Sequence, residues 1–333
     1  MSAERRLVFS ILLGLLQFLL PIHALASAGN GEISLKVAYA SVTGTRIALW
    51  AAHDQGFFAR QGLQVELVFI GSSSRGIPAL IAGEIPIFAG APETAAQAAV
   101  RGADLVIVAG EGSTPYKLIV QPGIKSIEQL KGRKIGVDRI GGSSYYVTLR
   151  LLGKLGLQPR DVEFMQIPGG GAERVAAFRS GILSAVVTTV SRFELAKIPY
   201  RALADAEQMG IHYIGGGYVT TRSFRDRNKE LLSRFVRALA ESSHWIKNPK
   251  NLDGVLRVFS RNLRTEDPAV LKLNYRIYID SIPFFPYTQV ESLRTNLLDL
   301  AESNPDLKKL NLDEFVDNSF VQQVRESGIA QTR

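Results

Sequence analysis

The stretch LKVAYASVTGTRIALWAAHDQGFF, residues 35–58, contains the pattern from which the fold is predicted. It begins with an apolar run, passes through a loop of serine, threonine and glycine, and continues as a helix in which Ile47, Trp50 and Ala51 share one face. An apolar run without alternating polar residues is typical of a parallel strand buried on both faces. The stretch therefore predicts a strand, a loop at its carboxyl end and a helix.

The same order of apolar run and helical pattern recurs along the first two thirds of the chain. Strands that alternate with helices indicate an α/β protein, in which helices cover both faces of each mostly parallel sheet. The further runs are QVELVFI (64–70), IPIFAG (85–90), LVIVAG (105–110), RKIGVD (133–138), VEFMQI (162–167) and AVVTT (185–189).

These runs form two series that resemble each other, which predicts two lobes of like topology. The alternative is that any two α/β units share such a pattern for physical reasons alone. The first lobe is expected to comprise 31–113 and 217–333, and the second 114–216, with glycine-rich crossings that would act as a hinge. The matched positions are Val37 with Ile135, Gly62 with Gly156, Ile70 with Ile167 and Gly83 with Gly181.

The N-terminal segment has the layout of a secretory signal peptide. A basic start, MSAERR, is followed by an apolar run to Leu20 and by the small residues of HALASA (23–28). Residues 1–26 are therefore expected to be a signal peptide, cut after Ala26 or Ala28, with an uncleaved anchor as the alternative. A free protein of the bacterial periplasm is the expected product.

Composition excludes several classes of function. The 333 residues include no cysteine, which excludes a disulfide, thiol catalysis, a zinc–thiolate site and a lipid attached at a cleavage-site cysteine. The net charge is +8, but the basic residues are scattered, so no nucleic-acid partner is expected. The histidines have no metal-ligand spacing, and no nucleophile elbow is present. We therefore expect no catalytic residues, no metal and no cofactor.

Loops that follow the apolar runs are rich in glycine, serine and threonine, and most precede a helix. Ligands of parallel α/β sheets bind beyond the carboxyl ends of the strands, where the mouths of helices also attract anions. Ser143 and Ser144 of GGSS can either cap their helix or donate to a solute. Arg46 and Glu93, the charges nearest the expected cleft, can pair with a solute, with solvent or with each other.

Four stretches carry a resemblance to a known family. The chain resembles the substrate-binding proteins of ABC importers in the nitrate/sulfonate/taurine and NMT1/THI5-like group. The stretches are LWAAHDQGFFARQGLQVELV (49–68), the AGE of ALIAGEIPIFAGAPE (79–93), IKSIEQLKGRKIGVDRIGGSS (124–144) and LDEFVDNSFV (312–321). The family's pyrimidine-precursor synthases, and the porphobilinogen-polymerising enzymes of the same fold, need cysteine, so the absence of cysteine excludes both.

This resemblance implies a two-lobed periplasmic binding protein of type 2, a Venus flytrap, that works as a monomer. Its partners would be a small organic solute and an ABC permease with its ATPase. A sulfonate, taurine or nitrate-like anion is favoured. The family's ligand loops fall on Thr43, Thr45, Ser73, Ser74, Ala91, Glu93, Thr114, Gly142, Ser143, Ser144, Tyr145, Gly170 and Thr188, which Arg46 joins by its charge.

Two alternatives stay open at this point. The solute can instead be a thiamine-precursor pyrimidine or another heteroaromatic compound, which Glu93 and several tyrosines would suit. The protein can also be a periplasmic sensor that presents its closed form to a membrane receptor kinase. A secreted hydrolase would require a catalytic constellation, which the sequence does not contain.

Overall fold

The protein is described from a computed structural model. The structure describes residues 32–138, 140, 143–167, 172–302 and 304–328. The predicted signal peptide, 1–26, lies outside the described residues. Ile33–Arg333 form one compact unit, and the boundaries of the two lobes stay a prediction. Within this unit the strands form two separate five-stranded sheets.

The first sheet has the strand order β2-β1-β3-β10-β4. β1, β2 and β3 are parallel, while β10 runs antiparallel to both of its neighbours. Every residue of β3 and β4 is buried because side chains on both faces pack under helices, as the unalternated apolar runs predict. The strands are β1 (Ile33–Tyr39), β2 (Leu63–Phe69), β3 (Ile87–Gly90), β4 (Leu105–Gly110) and β10 (Gly217–Thr221).

The second sheet repeats this arrangement, with the strand order β7-β6-β8-β5-β9. β6, β7 and β8 are parallel, and β5 takes the place of β10 as the one antiparallel strand. The mostly parallel α/β architecture predicted for each sheet is therefore confirmed. The strands are β5 (Lys117–Val120), β6 (Lys134–Val137), β7 (Glu163–Gln166), β8 (Ala185–Thr188) and β9 (Arg201–Asp205).

Matched residues of the two series occupy equivalent places. The amide of Ile70 donates to the carbonyl of Tyr39 across β1 and β2, and the amide of Ile167 donates to the carbonyl of Val137 across β6 and β7. Gly83 and Gly181 both turn the chain after a helix with φ of 78° and 79°, a region that glycine enters without a steric cost. The similarity between the two series of the sequence therefore reflects the same local backbone geometry in the two sheets.

Helices connect the strands and form a long C-terminal tail. Those of the sheets are α1 (Ile47–Asp54), α2 (Phe57–Arg60), α3 (Ser73–Ile81), α4 (Pro92–Ala99), α5 (Ser143–Lys154), α6 (Ala172–Arg179) and α7 (Ser191–Leu195). Those of the tail are α8 (Arg222–Arg227), α9 (Lys229–Lys247), α10 (Leu252–Leu263), α11 (Pro268–Tyr278), α12 (Val290–Leu300), α13 (Leu312–Phe315) and α14 (Ser319–Glu326). Short 3₁₀ turns span Gly44–Arg46, Ile127–Leu130, Pro159–Asp161, Pro249–Asn251 and Pro305–Lys309.

Two tail helices contact helices of both sheets. α12 packs against α4 of the first sheet and α5 of the second, and α11 packs against α7 and the turn Gly44–Arg46. In the same region the chain crosses twice between the sheets, and the two crossings pair with each other. Glu111 N donates to Gly216 O at 3.1 Å, and Gly215 N donates to Gly112 O at 2.7 Å. The sheets are therefore joined by a short antiparallel ladder and flanked by two helices.

Candidate functional site

A cavity of about 190 Å³ lies beyond the carboxyl ends of the strands, lined from both sheets and from the tail. This is smaller than the ~300–1,000 Å³ typical of pockets for drug-sized ligands, which indicates a small solute. Hydroxyl groups and two guanidinium groups make up nearly all of its polar lining. The lining residues are Ser41, Thr43, Thr45, Thr114, Tyr116, Arg174, Thr188, Thr189, Arg192, Gly215 and Tyr278.

The loop after β1 contributes three of the hydroxyl groups. Thr43 Oγ1 lies 2.7 Å from Thr45 Oγ1 and 3.4 Å from Ser41 Oγ, so the three side chains form a chain of hydroxyls along one wall. Gly44 allows this arrangement because a Cβ there would lie 2.1 Å from Cδ2 of Tyr278. The ring of Tyr278 can therefore pack against this loop only because residue 44 is a glycine.

Four of the residues predicted for ligand binding meet at this cavity: Thr43, Thr45, Thr114 and Thr188. They come from loops of both sheets, as the position of ligands in parallel α/β proteins predicts. Gly142 and Gly170 lie outside the described residues. Ser143 begins α5.

Arg46 is buried beside the cavity lining rather than in it. Its guanidinium forms an ion pair with the carboxylate of Glu111, and the two side chains are 4% and 2% exposed. Burial raises the pKa of Glu111, and the charge of Arg46 opposes that rise. Arg46 Nε and Glu111 Oε1 have no hydrogen-bond partner. The pair therefore lies within the protein, where it links the loop after β1 to the first crossing.

The four residues predicted near α3 and α4 do not line the cavity either. Ser73 Oγ accepts a hydrogen bond from the amide of Ala91 at 2.9 Å, which ties α3 to the start of α4. Ser74 Oγ lies 3.0 Å from Ser72 Oγ. Glu93 is buried, and its burial raises the pKa of the carboxyl group against hydrogen bonds that lower it, the largest of them from Tyr213.

Ser144 uses its hydroxyl within the protein. Its Oγ donates to Asp138 Oδ1 at 2.6 Å and accepts from the amide of Asp138 at 2.8 Å, so it joins the start of α5 to the end of β6. Tyr145 packs its ring against Phe164 at 4.9 Å and Tyr146 at 5.3 Å. Both residues therefore contribute to the packing of α5 in this structure.

Sequence reasoning missed the two arginines and the two tyrosines of the cavity. Arg174 directly follows the stretch PGGGAE (168–173), and Arg192 ends the stretch TTVSR (188–192). Both stretches come after apolar runs, so the available signal was an arginine at the end of such a stretch. Tyr116 likewise follows Thr114 by two residues. Tyr278 lies at the end of α11, far along the chain from every predicted loop, and no local pattern indicates its place.

The electrostatic character of the cavity is that of a donor-rich, positive site. No carboxylate is among its lining residues, and neither Arg174 nor Arg192 forms an ion pair within the described part of the chain. Burial raises the pKa of Tyr116, with smaller effects from the charges of Asp138 and Glu93, so its phenol stays a donor. Such a set of groups can bind an oxyanion.

The described residues offer neither a metal site nor a membrane-spanning helix. They contain no group of three or more histidine, aspartate or glutamate side chains placed to hold a metal ion. None of their helices combines the length and the apolar character needed to span a membrane.

Comparison with known proteins gives a family and a fold. The model of the family described as NMT1/THI5 like matches residues 45–251. YtlA of Bacillus subtilis, provisionally named as a binding protein, is 23% identical over 269 residues, covering 77% of this chain and 79% of YtlA.

Two solved structures show the same fold. The periplasmic aliphatic sulphonate binding protein SsuA from Escherichia coli is 19% identical, with a TM-score of 0.69 over 86% of this chain and 92% of SsuA. The periplasmic nitrate-binding protein NrtA from Synechocystis PCC 6803 is 12% identical, with a TM-score of 0.65 over 89% of each chain. The predicted fold, that of periplasmic binding proteins, is confirmed.

Proposed function

Because the chain belongs to the NMT1/THI5-like family, we propose that it is an extracytoplasmic binding protein that captures a small organic anion between its two sheets. The single observation that carries the proposal is the lining of the cavity, in which the described residues offer hydroxyl and guanidinium donors and no carboxylate. A sulfonate group or a nitrate-like anion presents several acceptor oxygens and no donor. These oxygens can accept hydrogen bonds from the hydroxyl and guanidinium groups of the lining. Binding without chemical turnover is the proposed activity.

Delivery of the solute to an ABC permease and its ATPase, from the periplasm and as a monomer, completes the proposal. What supports delivery is the family and the names of structural relatives such as SsuA and NrtA. Genes for a permease and an ATPase beside the gene of this chain are the expected finding. A receptor-kinase gene in their place would favour the role of a periplasmic sensor.

A heteroaromatic solute is the second candidate, because two aromatic side chains, Tyr116 and Tyr278, line the cavity. An aromatic ring of the solute could stack or pack edge-on against either of them. The two guanidinium groups argue against a cationic heteroaromatic solute, since like charges in a partly buried site repel. A neutral pyrimidine is therefore the form of this alternative that remains to be tested.

A thermal-shift panel tests the proposal directly. The protein beginning at Ser27 is melted with methanesulfonate, taurine, nitrate and a neutral aminopyrimidine, each against sodium chloride of equal ionic strength. A ligand that binds only the folded state at about 100 times its Kd adds ~2.7 kcal/mol of stability, so one of the anions should raise the melting temperature clearly. A response to the aminopyrimidine alone would establish the alternative, and a response to none of them would contradict both.

A further inference from the structure

We propose that Arg174 is a buried cation for which the described part of the chain supplies no ion-pair partner, and that the anionic group of the solute takes this place. This inference deepens the proposed function, on which it rests, by naming the residue that selects for negative charge. It also predicts a property of the empty protein, so it can be tested without knowledge of the natural solute.

The first observation is the burial of Arg174. Its side chain lies in the wall of the cavity, and the residue is only 9% exposed. Among the described residues its Nε has no hydrogen-bond partner, and its Nη1 donates to the carbonyl of Ile167 over a long 3.4 Å. A guanidinium group has five N–H donors, and the described residues accept one hydrogen bond from Arg174.

The second observation is that other arginines with little exposure have acidic partners. Arg46 pairs with Glu111, and Arg150 Nη2 lies 2.5 Å from Asp299 Oδ2. Arg174 has no such partner in the part of the chain that the structure describes, although it is buried. Its position in the wall of a cavity lined with donors distinguishes it from an arginine that completes a core network.

Two carboxyl groups act electrostatically on the same side of the cavity as Arg174. Asp138, Glu93 and Arg174 all influence the pKa of Tyr116, which lines the cavity. However, Asp138 Oδ1 already accepts the hydroxyl of Ser144 at 2.6 Å. Burial raises the pKa of Glu93, which disfavours its charged form. In the described part of the chain neither group forms an ion pair with Arg174.

Arg192 lines the same cavity but is more exposed to solvent than Arg174. It is half-buried, so water can solvate its guanidinium when the cavity is empty. Arg174 is shielded from water and pays a larger desolvation cost when no anion is bound. Binding of an anion relieves that cost only at Arg174. We therefore assign Arg174 the selection for charge and Arg192 a weaker, water-exposed contact.

A buried charge without a partner destabilises the folded state, so replacement by an apolar side chain of similar length should stabilise it. The test is a thermal melt of the ligand-free protein carrying Arg174→Met, with Arg179→Met, an exposed position of the same helix, as the matched control. The Arg174→Met melting temperature should rise by at least ~2 °C, and that of the control should stay within ~1 °C. Arg174→Lys keeps the charge and should not be stabilised.

The same variants are then melted with methanesulfonate, taurine and nitrate at constant ionic strength. The wild type and Arg179→Met should be stabilised by at least one anion, and Arg174→Met should lose that response at least tenfold in apparent Kd. A less stable Arg174→Met protein would overturn the inference, as would one that keeps the full anion response. A more stable Arg174→Met protein, with no anion response even in the wild type, would uphold the uncompensated charge and reject the proposed solute class.

Discussion

Single ionisable residues with incomplete pairing are concentrated between the cavity and the crossings. Arg46, Glu93 and Glu111 are each nine-tenths buried or more, and each leaves at least one polar atom without a hydrogen-bond partner. Buried polar atoms in folded proteins nearly always have partners, and exceptions gather where a protein binds or moves. These three residues therefore mark the region around the cavity as one organised for function at a cost in stability.

Glu93 gives a prediction about pH at this scale. Burial raises the pKa of its carboxyl group above the ordinary 4.5, so the folded state holds the proton more tightly than the unfolded state does. The stability from this group is fully present below the unfolded pKa and is lost as the pH rises through the folded pKa. Glu93→Gln should therefore lose less stability than the wild type as the pH rises from about 4.5 towards neutrality.

Urea unfolding at a series of pH values measures this difference. Glu84→Gln, at an exposed glutamate of the same sheet, serves as the control and should follow the wild type. Parallel profiles for the wild type and Glu93→Gln would show that the buried carboxyl group does not titrate differently on folding, and the prediction would be wrong.

Among the elements, helix α12 links the two sheets through its contact with α5. Tyr146 of α5 is 4% exposed and belongs to the same apolar cluster as Leu293 and Leu297 of α12. Beside this cluster, Arg150 pairs with Asp299 and donates to the carbonyl of Thr295 at 3.2 Å. An element that follows the second crossing in the chain therefore holds a helix of the second sheet.

Arg150→Ala tests how much this ion pair contributes. Burial raises the pKa of Asp299 even with Arg150 present, so removal of the arginine should raise it further. At neutral pH the variant should lose about 1–2 kcal/mol of unfolding free energy, between the values for exposed and buried pairs. The loss should shrink as the pH falls, because Asp299 is then protonated in both proteins.

The control is Arg294→Ala, which breaks the exposed pair with Glu291 inside α12 and should cost no more than ~0.5 kcal/mol. Chemical unfolding monitored by circular dichroism gives both values. An Arg150→Ala loss that is equally small, or one that does not change with pH, would contradict the role of this pair.

These elements show how much of the fold and of the site could be predicted from the sequence alone. The strand, loop and helix units were predictable because the periodicity of apolar residues is a local property of the sequence. Glycines at the matched turns recur in both series and mark the same units. The helices α11 and α12, which bring Tyr278 and the Asp299 pair to the second sheet, depend on long-range packing that no local pattern encodes. Arg174 directly follows a loop that the sequence analysis considered, but only its burial distinguishes it from a solvated helix charge.

At the scale of the whole molecule, two sheets of like topology both contribute to the donor-rich cavity. We expect the solute to draw them together, because only the closed form would place donors from both sheets on it. The absence of cysteine makes this measurable, since paired labels can be placed without removing native thiols.

Labels at Arg75→Cys and Ile140→Cys, exposed positions beyond the strand ends of the first and second sheets, should move closer when the stabilising anion binds. Pulsed electron spin resonance measures the distance. Labels at Arg75→Cys in α3 and Arg101→Cys in the turn after α4, which both flank the first sheet, should keep their distance. An unchanged distance in the first pair would indicate a rigid pocket.

The ladder between the crossings limits the form that such a motion can take. Two independent strands would allow the halves of the molecule to slide, twist and bend separately. Hydrogen bonds from Glu111 N to Gly216 O, from Gly215 N to Gly112 O and from Thr114 N to Tyr213 O make the crossings into one ribbon. A ribbon resists shear along its length and bends most readily across its flat face. We therefore expect bending of this ribbon to be the main relative motion of the two sheets, with its amide protons exchanging slowly with solvent both without and with a bound anion.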